Sequence, residues 1–151
     1  MNDGWIVVVD HNPIERRLVQ VLLAAAGYEV RTASDTAAAA QLITMFTPRL
    51  MLMDLQVSAS RRIEYVKRLR AAPETRDMVI IAMIPRPLSG APQMARDAGC
   101  SDCVAKPLDN LTLLETVARR LGKSSPTELK RHVRNANALA HVECAEHKRS
   151  K

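Results

Sequence analysis

Five short strand-like segments, each followed by apolar side chains at helical spacing, constrain the fold of this chain more than any other feature. Four are runs of apolar residues, at 5–9, 50–53, 78–84 and 103–105, and the fifth, at 28–32, includes polar residues. Strands without alternating polar residues are usually buried on both faces, as in a parallel sheet covered by helices. Right-handed crossovers then place helices on both sides of that sheet. The pattern therefore predicts an α/β fold with a doubly wound, five-stranded parallel sheet in three α/β/α layers.

Local signals mark where the helices begin and end. Asn12 followed by Pro13 is typical of a helix start, and Asp109 is expected to cap the last helix of the sheet domain. Gly27 indicates a helix end, because glycine tolerates the left-handed conformation found there. Residues 85–92 contain three prolines and a glycine. We therefore expect a loop there, followed by a short fourth helix.

Composition and charge exclude several classes of function. The 151 residues suffice for one domain, and the net charge of +6 is concentrated in residues 122–151, where seven Lys and Arg face three Glu. Residues 1–121 are nearly neutral, and the chain has only four aromatic residues. A basic DNA-binding body and a surface that stacks bases are therefore not expected, which argues against a nucleic-acid partner.

No apolar run approaches the ~18 residues of a membrane span, so we expect no membrane partner. The N-terminus lacks the basic region and long apolar region of a signal peptide. These features predict a cytoplasmic protein whose three cysteines are reduced. Cys100 and Cys103 form a C-x-x-C pair, but they lead into a strand rather than a helix. We interpret them as two small buried residues and not as a redox or metal site.

The chain is divided by its pattern into a domain at residues 4–121 and a basic C-terminal extension at residues 122–151. Leu129, Val133, Ala136 and Ala140 could form a thin apolar stripe on a helix in the extension. One such helix cannot build a core, so it either docks on the domain or stays exposed. We expect truncation after Gly122 to remove little buried apolar surface and to leave the domain folded.

Charged residues stand where three of the predicted strands end. Asp10 follows the first strand, Asp54 ends the third and Lys106 follows the fifth. Ligands of open α/β sheets bind at the carboxyl ends of the strands, so these side chains should converge. Carboxylates can hold Mg²⁺ or act as nucleophiles towards phosphorus, and lysine supplies a positive charge to phosphoryl oxygens. The grouping is typical of phosphoryl chemistry.

Three segments carry a resemblance to the receiver domain of bacterial two-component response regulators. The segments are Val7-Val8-Val9-Asp10-His11-Asn12-Pro13, Leu52-Met53-Asp54-Leu55-Gln56 and Asp102-Cys103-Val104-Ala105-Lys106-Pro107. The resemblance covers residues 4–121 and implies a flavodoxin-like strand order, 2-1-3-4-5. It also implies that Asp54 accepts a phosphoryl group with the help of Lys106. Asp10, Asp54 and the backbone of Gln56 would hold Mg²⁺.

The resemblance further implies the partners. A sensor histidine kinase or a phosphotransfer protein would donate the phosphoryl group. A downstream protein would contact the face of the fourth and fifth helices. On this interpretation the protein is a signalling module and not an enzyme that turns over a separate substrate. The sequence does not fix its oligomeric state.

Several positions depart from the family pattern. His11 stands where a second acidic residue is usual, and imidazole suits Zn²⁺, Ni²⁺ or Cu²⁺ better than Mg²⁺, so we expect Mg²⁺ to bind weakly. Ile84 replaces a hydroxyl-bearing residue, Cys103 replaces an aromatic residue and Arg62 replaces a glycine. Arg61-Arg62 is expected to lie on a solvated helix face. Two hypotheses remain open: ordinary phosphorylation of Asp54, or a degenerate pseudo-receiver that acts as a phosphorylation-independent interaction module.

Overall fold

Five strands alternate with five helices, and a sixth helix follows, in the computed structural model, which describes residues 5–55, 59–85, 90–122 and 126–149. The strands are β1 (Trp5–Val9), β2 (Glu29–Ala33), β3 (Leu50–Asp54), β4 (Val79–Ile84) and β5 (Asp102–Ala105). The helices are α1 (Pro13–Ala25), α2 (Thr36–Met45), α3 (Ala59–Ala71), α4 (Ala91–Ala98), α5 (Asn110–Leu121) and α6 (Pro126–Arg149).

All strand pairs are parallel, and their order in the sheet is β2-β1-β3-β4-β5. This confirms the predicted doubly wound α/β fold. The central strands β1 and β3 are buried throughout, as expected of apolar runs covered on both faces. The edge strand β2 differs, because Glu29 and Arg31 on one of its faces are exposed. Complete burial is therefore a property of the inner strands alone.

Two apolar cores lie on opposite faces of the sheet. Helices α2, α3 and α4 cover one face, where Ala39, Val66 and Ala95 are fully buried. Helices α1 and α5 cover the other, where Leu23 and Leu114 are fully buried. This confirms the three-layer arrangement, which leaves the carboxyl edge of the sheet between the layers.

The predicted helix boundaries are confirmed where capping groups specify them. The Asn12 side chain accepts hydrogen bonds from the backbone N–H groups of Ile14 and Glu15, as an N-cap does. Asp109 accepts in the same way from the Thr112 N–H. Gly27 has a φ of 95° just after the end of α1, a conformation that side chains with a Cβ disfavour.

Helix α6 docks on the second core and adds to it. It packs against α1 and α5, and its Leu129 and Ala136 are buried in the same cluster as Leu22. The Asn110 side-chain amide, at the start of α5, donates to Asn137 Oδ1 at 2.9 Å. Since α6 begins shortly after α5 ends, this bond means that the two helices run antiparallel. The expectation that the tail buries little apolar surface is therefore wrong, while the domain boundary at residue 121 stays a prediction.

Within the part of the chain that the structure describes, no helix combines the length and the apolar character needed to span a membrane.

Candidate functional site

The carboxyl edge of the sheet brings together the three charged residues that the strand ends suggested. Asp10 follows β1, Asp54 is the last residue of β3 and Lys106 follows β5. The Lys106 Nζ atom lies 3.0 Å from Asp54 Oδ1 and 3.3 Å from Asp10 Oδ2. Because β1 and β3 are neighbours and their ends coincide, the two carboxylates share one lysine.

Asp10 is fully buried and is held by hydrogen bonds from the loop that follows it and from helix α1. Its Oδ1 accepts the Asn12 backbone N–H at 2.9 Å, and its carbonyl oxygen accepts Arg16 Nη1 at 2.8 Å. Burial raises the pKa of the Asp10 carboxyl and the nearby Asp54 carboxylate adds to this, so the pKa lies above its ordinary value although Asn12 and Lys106 oppose the shift. The carboxylate is thus fixed in place and depends on nearby cations for its charge.

Lys106 is a buried ammonium whose charge is stabilised from three sides. Its Nζ also lies 2.5 Å from Glu15 Oε2, in the first turn of α1. Burial alone would lower the pKa of Lys106, but the contacts with Glu15, Asp54 and Asp10 outweigh it and raise the pKa above its ordinary value. Lys106 is therefore a fixed positive charge beside Asp54.

His11 completes a group of three potential metal ligands. Its Nδ1 lies 3.1 Å from Asp54 Oδ2 and 3.6 Å from Asp10 Oδ1, while the side chain is 43% exposed. One ligand atom from each of Asp10, His11 and Asp54 falls within 4.8 Å of the others. The two carboxylates match the oxygen ligands that Mg²⁺ prefers, and the imidazole does not. Gln56, whose backbone the resemblance added to this set, lies outside the described residues.

Arg62 is a further member of the site, so the prediction that Arg61-Arg62 lies on a solvated helix face is wrong for Arg62. Arg62 is only 5% exposed. Its Nη1 donates to the Asp54 carbonyl oxygen and lies 3.8 Å from Asp54 Oδ2. Arg61 is exposed, as predicted. The rotation of α3 against the sheet turns one of the two arginines inward.

A weak sequence signal existed for Arg62, and none existed for Glu15. Two arginines in the first turn of a helix oppose the helix dipole, and α3 carries no acidic residue there to offset them. That conflict indicates that a nearby anion compensates. An acidic residue in the first turn of α1 is by contrast ordinary. Nothing local therefore pointed from Glu15 to Lys106, which is 91 residues away in the chain.

Ile84 and Cys103, two other departures from the family pattern, bring neither a charge nor a hydroxyl group to the ends of the strands. Ile84, at the end of β4, is 1% exposed and packs into the core on the α3 side. Cys103 in β5 is half-buried, and Cys100 is buried with its pKa raised to about 11 by burial. Both are free thiols.

Comparison with known proteins identifies the fold and the family. Residues 6–118 match the model of the response regulator receiver domain. The chain is 28% identical over 117 residues to the polar-differentiation response regulator DivK of Brucella anthropi, a match that covers 78% of this chain and 95% of that protein.

Two solved structures are similar to the whole sheet domain. The chemotaxis protein CheY4 of Vibrio cholerae superposes with a TM-score of 0.71 at 25% identity, covering 77% of this chain and 97% of that one. The receiver domain of the sensor histidine kinase PA1611 of Pseudomonas aeruginosa has a TM-score of 0.71 at 25% identity, with 80% and 98% coverage, and holds a magnesium ion in its active-site cleft. With its parallel sheet, its edge of paired aspartates and lysine, and the family match over residues 6–118, this chain belongs to the receiver domains of two-component response regulators.

Proposed function

We propose that this receiver domain accepts a phosphoryl group on Asp54 and signals through contact with a protein partner. The observation that carries the proposal is the position of the Asp54 carboxylate. It stands at the carboxyl end of a central strand, 3.0 Å from the buried Lys106 ammonium and beside a second carboxylate, Asp10. A nucleophilic oxygen and a fixed positive charge for the phosphoryl oxygens are thereby side by side.

We expect the transfer to use this geometry in the following way. One Asp54 carboxylate oxygen forms a bond to phosphorus, while the bond between phosphorus and the imidazole nitrogen of a partner's phosphohistidine breaks. That nitrogen keeps the electron pair. Lys106 neutralises part of the charge on the phosphoryl oxygens, and its contact with Glu15 holds it there. The phosphodonor is a sensor histidine kinase or a phosphotransfer protein, and the receiver of the signal is a downstream protein.

The carboxylates of Asp10 and Asp54, together with the backbone of Gln56, are the ligands proposed for Mg²⁺. A bound Mg²⁺ ion would supply positive charge to the phosphoryl oxygens. His11 contributes an imidazole where a third oxygen ligand would strengthen the site. We therefore expect Mg²⁺ to bind weakly here.

The test is intact-mass spectrometry after incubation with acetyl phosphate and Mg²⁺. Acetate leaves with the electron pair of the broken P–O bond, and the wild-type protein should gain one phosphoryl group that hydroxylamine removes. Asp54→Asn is the matched control, because it keeps the shape of the side chain and loses the nucleophile. Phosphorylation that persists in Asp54→Asn, or none in the wild type, would contradict the proposal.

A phosphorylation-independent interaction module is the second candidate. It is favoured by the partners that Asp54 already has, since His11 Nδ1 lies 3.1 Å from Oδ2 and Lys106 lies 3.0 Å from Oδ1. Ile84 also offers no hydrogen-bond donor to a phosphoryl group at the end of β4. The affinity for a protein partner distinguishes the two candidates. If phosphorylation has no role, this affinity should be equal in the wild type and in Asp54→Asn.

A further inference from the structure

Arg62 is buried at the phosphoacceptor although α3 has exposed positions nearby for its charge. It is 5% exposed, whereas Arg61 on the same turn is exposed. Its Nη1 donates to the carbonyl oxygen of Asp54 and lies 3.8 Å from that residue's Oδ2. The guanidinium therefore touches both the backbone and the side chain of one residue.

The fold by itself does not require a cation at this position. The neighbours of Arg62 on α3 that face the core are apolar, and Ile63 and Val66 are buried. Burial of a guanidinium is unfavourable unless an anion accompanies it, and the first turn of a helix disfavours positive charge. The anion that compensates Arg62 is the Asp54 carboxylate, which already has Lys106 at a shorter distance.

Phosphorylation would change the charge balance at this point. The formal charges of Asp10, Asp54 and Glu15 exceed those of Lys106 and Arg62 by a single negative charge. An acyl phosphate carries about one more negative charge than the carboxylate it replaces, together with three strong acceptor oxygens. Lys106 can serve part of these oxygens. Ile84 at the end of β4 cannot donate to them, so a further side-chain donor has to come from another element.

We infer that Arg62 binds the phosphoryl group on Asp54 and is a specific phosphoryl-binding residue of this chain. This rests on the proposed function of Asp54. A guanidinium presents five N–H donors on a planar fork that matches phosphate oxygens, so one edge can serve the phosphoryl group while Nη1 keeps the Asp54 carbonyl. Phosphorylation is then sensed at the start of α3 and not through a side chain of β4.

The test measures the affinity of the full chain for beryllofluoride, a non-covalent mimic of the phosphoryl group, by calorimetry in the presence of Mg²⁺. Arg62→Ala should bind about tenfold or more weakly, since a hydrogen bond to a charged group contributes that much. Arg62→Lys keeps the positive charge but lacks the planar guanidinium. Its affinity for beryllofluoride should lie between those of the wild type and Arg62→Ala. Arg61→Ala removes the same charge from the exposed side of the same turn and should match the wild type.

Chemical rescue separates a direct contact from a structural role. Millimolar guanidinium should restore beryllofluoride binding to Arg62→Ala and leave Arg61→Ala unchanged. If circular dichroism shows that Arg62→Ala does not fold, Arg62→Gln replaces it in the test, because glutamine keeps a donor and much of the volume of arginine. Arg62→Gln should show the same loss of beryllofluoride affinity.

Two results would overturn the inference, and they differ in meaning. Equal beryllofluoride affinity in wild type and the Arg62 variants removes the role of Arg62 while leaving phosphorylation of Asp54 intact. A wild-type protein that neither binds beryllofluoride nor takes up phosphate from acetyl phosphate contradicts both the proposed function and this inference.

Discussion

Substitution of Leu129 by alanine measures how far helix α6 belongs to the core. Leu129 is 4% exposed and lies in the cluster formed by α1, α5 and the sheet. Burial of leucine in a core is worth about 2–5 kcal/mol against alanine. Because α6 lies on the outside and can shift towards the gap, we expect the lower part of that range, about 2–3 kcal/mol.

For a chain of this size, that loss of unfolding free energy corresponds to a decrease in melting temperature of about 4–12 °C. The assay is thermal unfolding followed by circular dichroism, with urea unfolding as a second measure of the free energy. Lys130→Ala is the matched control, because it shortens an exposed side chain on the adjacent position of the same helix. Its melting temperature should stay within about 1–2 °C of the wild type.

A decrease that is equal in the two variants, or absent from both, would refute the reasoning. The first result would mean that shortening a side chain of α6 destabilises the protein whether or not that side chain is buried, so that burial of Leu129 is not the cause. The second would mean that α6 leaves the groove between α1 and α5 in solution.

Three further predictions concern other parts of the molecule. Gly99→Ala should destabilise the protein by about 2 kcal/mol or more, because φ is +114° and a Cβ would lie 2.8 Å from Arg70 Cγ. Gly122→Ala is the control: its φ is also positive, but the space around it is open, so urea unfolding should show a smaller loss of unfolding free energy. Equal losses in the two variants would contradict the steric argument. Burial raises the pKa of Cys100 to about 11, so its thiol should react slowly with Ellman's reagent at pH 8. Fast labelling of Cys100 in the folded protein would contradict this by showing that the thiol is accessible. The unfolding free energy that the neutral Cys100 thiol contributes should be lost as the pH rises from about 9 to about 11. His11→Asp should tighten Mg²⁺ binding in calorimetry, because an oxygen ligand replaces the imidazole; an unchanged affinity would mean that residue 11 is not a ligand.

The strand ends allowed most of the site to be predicted, because a parallel sheet places them at one edge. That rule alone predicts Asp10, Asp54 and Lys106. The apolar runs locate the strands, and the residue that follows each run lies at the carboxyl end of its strand. The distances between the Lys106 ammonium and the two carboxylates could not be predicted from the sequence. Those depend on how the loops after β1 and β5 close, which no periodicity records.

Arg62 and Glu15 could not be placed from the sequence, because both come from the first turn of a helix. Which side of a helix faces the sheet depends on how its apolar residues pack, and Arg61 and Arg62 are consecutive, so they point about 100° apart. A small difference in rotation decides which of them is buried. Helix α6 was ambiguous for a related reason: its apolar stripe is thin, and its burial depends on a groove that α1 and α5 form only after folding.

Helix α6 extends well beyond the two helices on which it packs. It has 24 residues, while α1 and α5 beneath it have 13 and 12. Asn137 already stands opposite the start of α5, and the twelve residues from there to Arg149 extend the helix by about 18 Å. A tilt of about 10° in the docked half would displace the far end by about 3 Å, from the same rise per residue. A label on that end would therefore report movements of α1 against α5 that are too small to detect at the site itself.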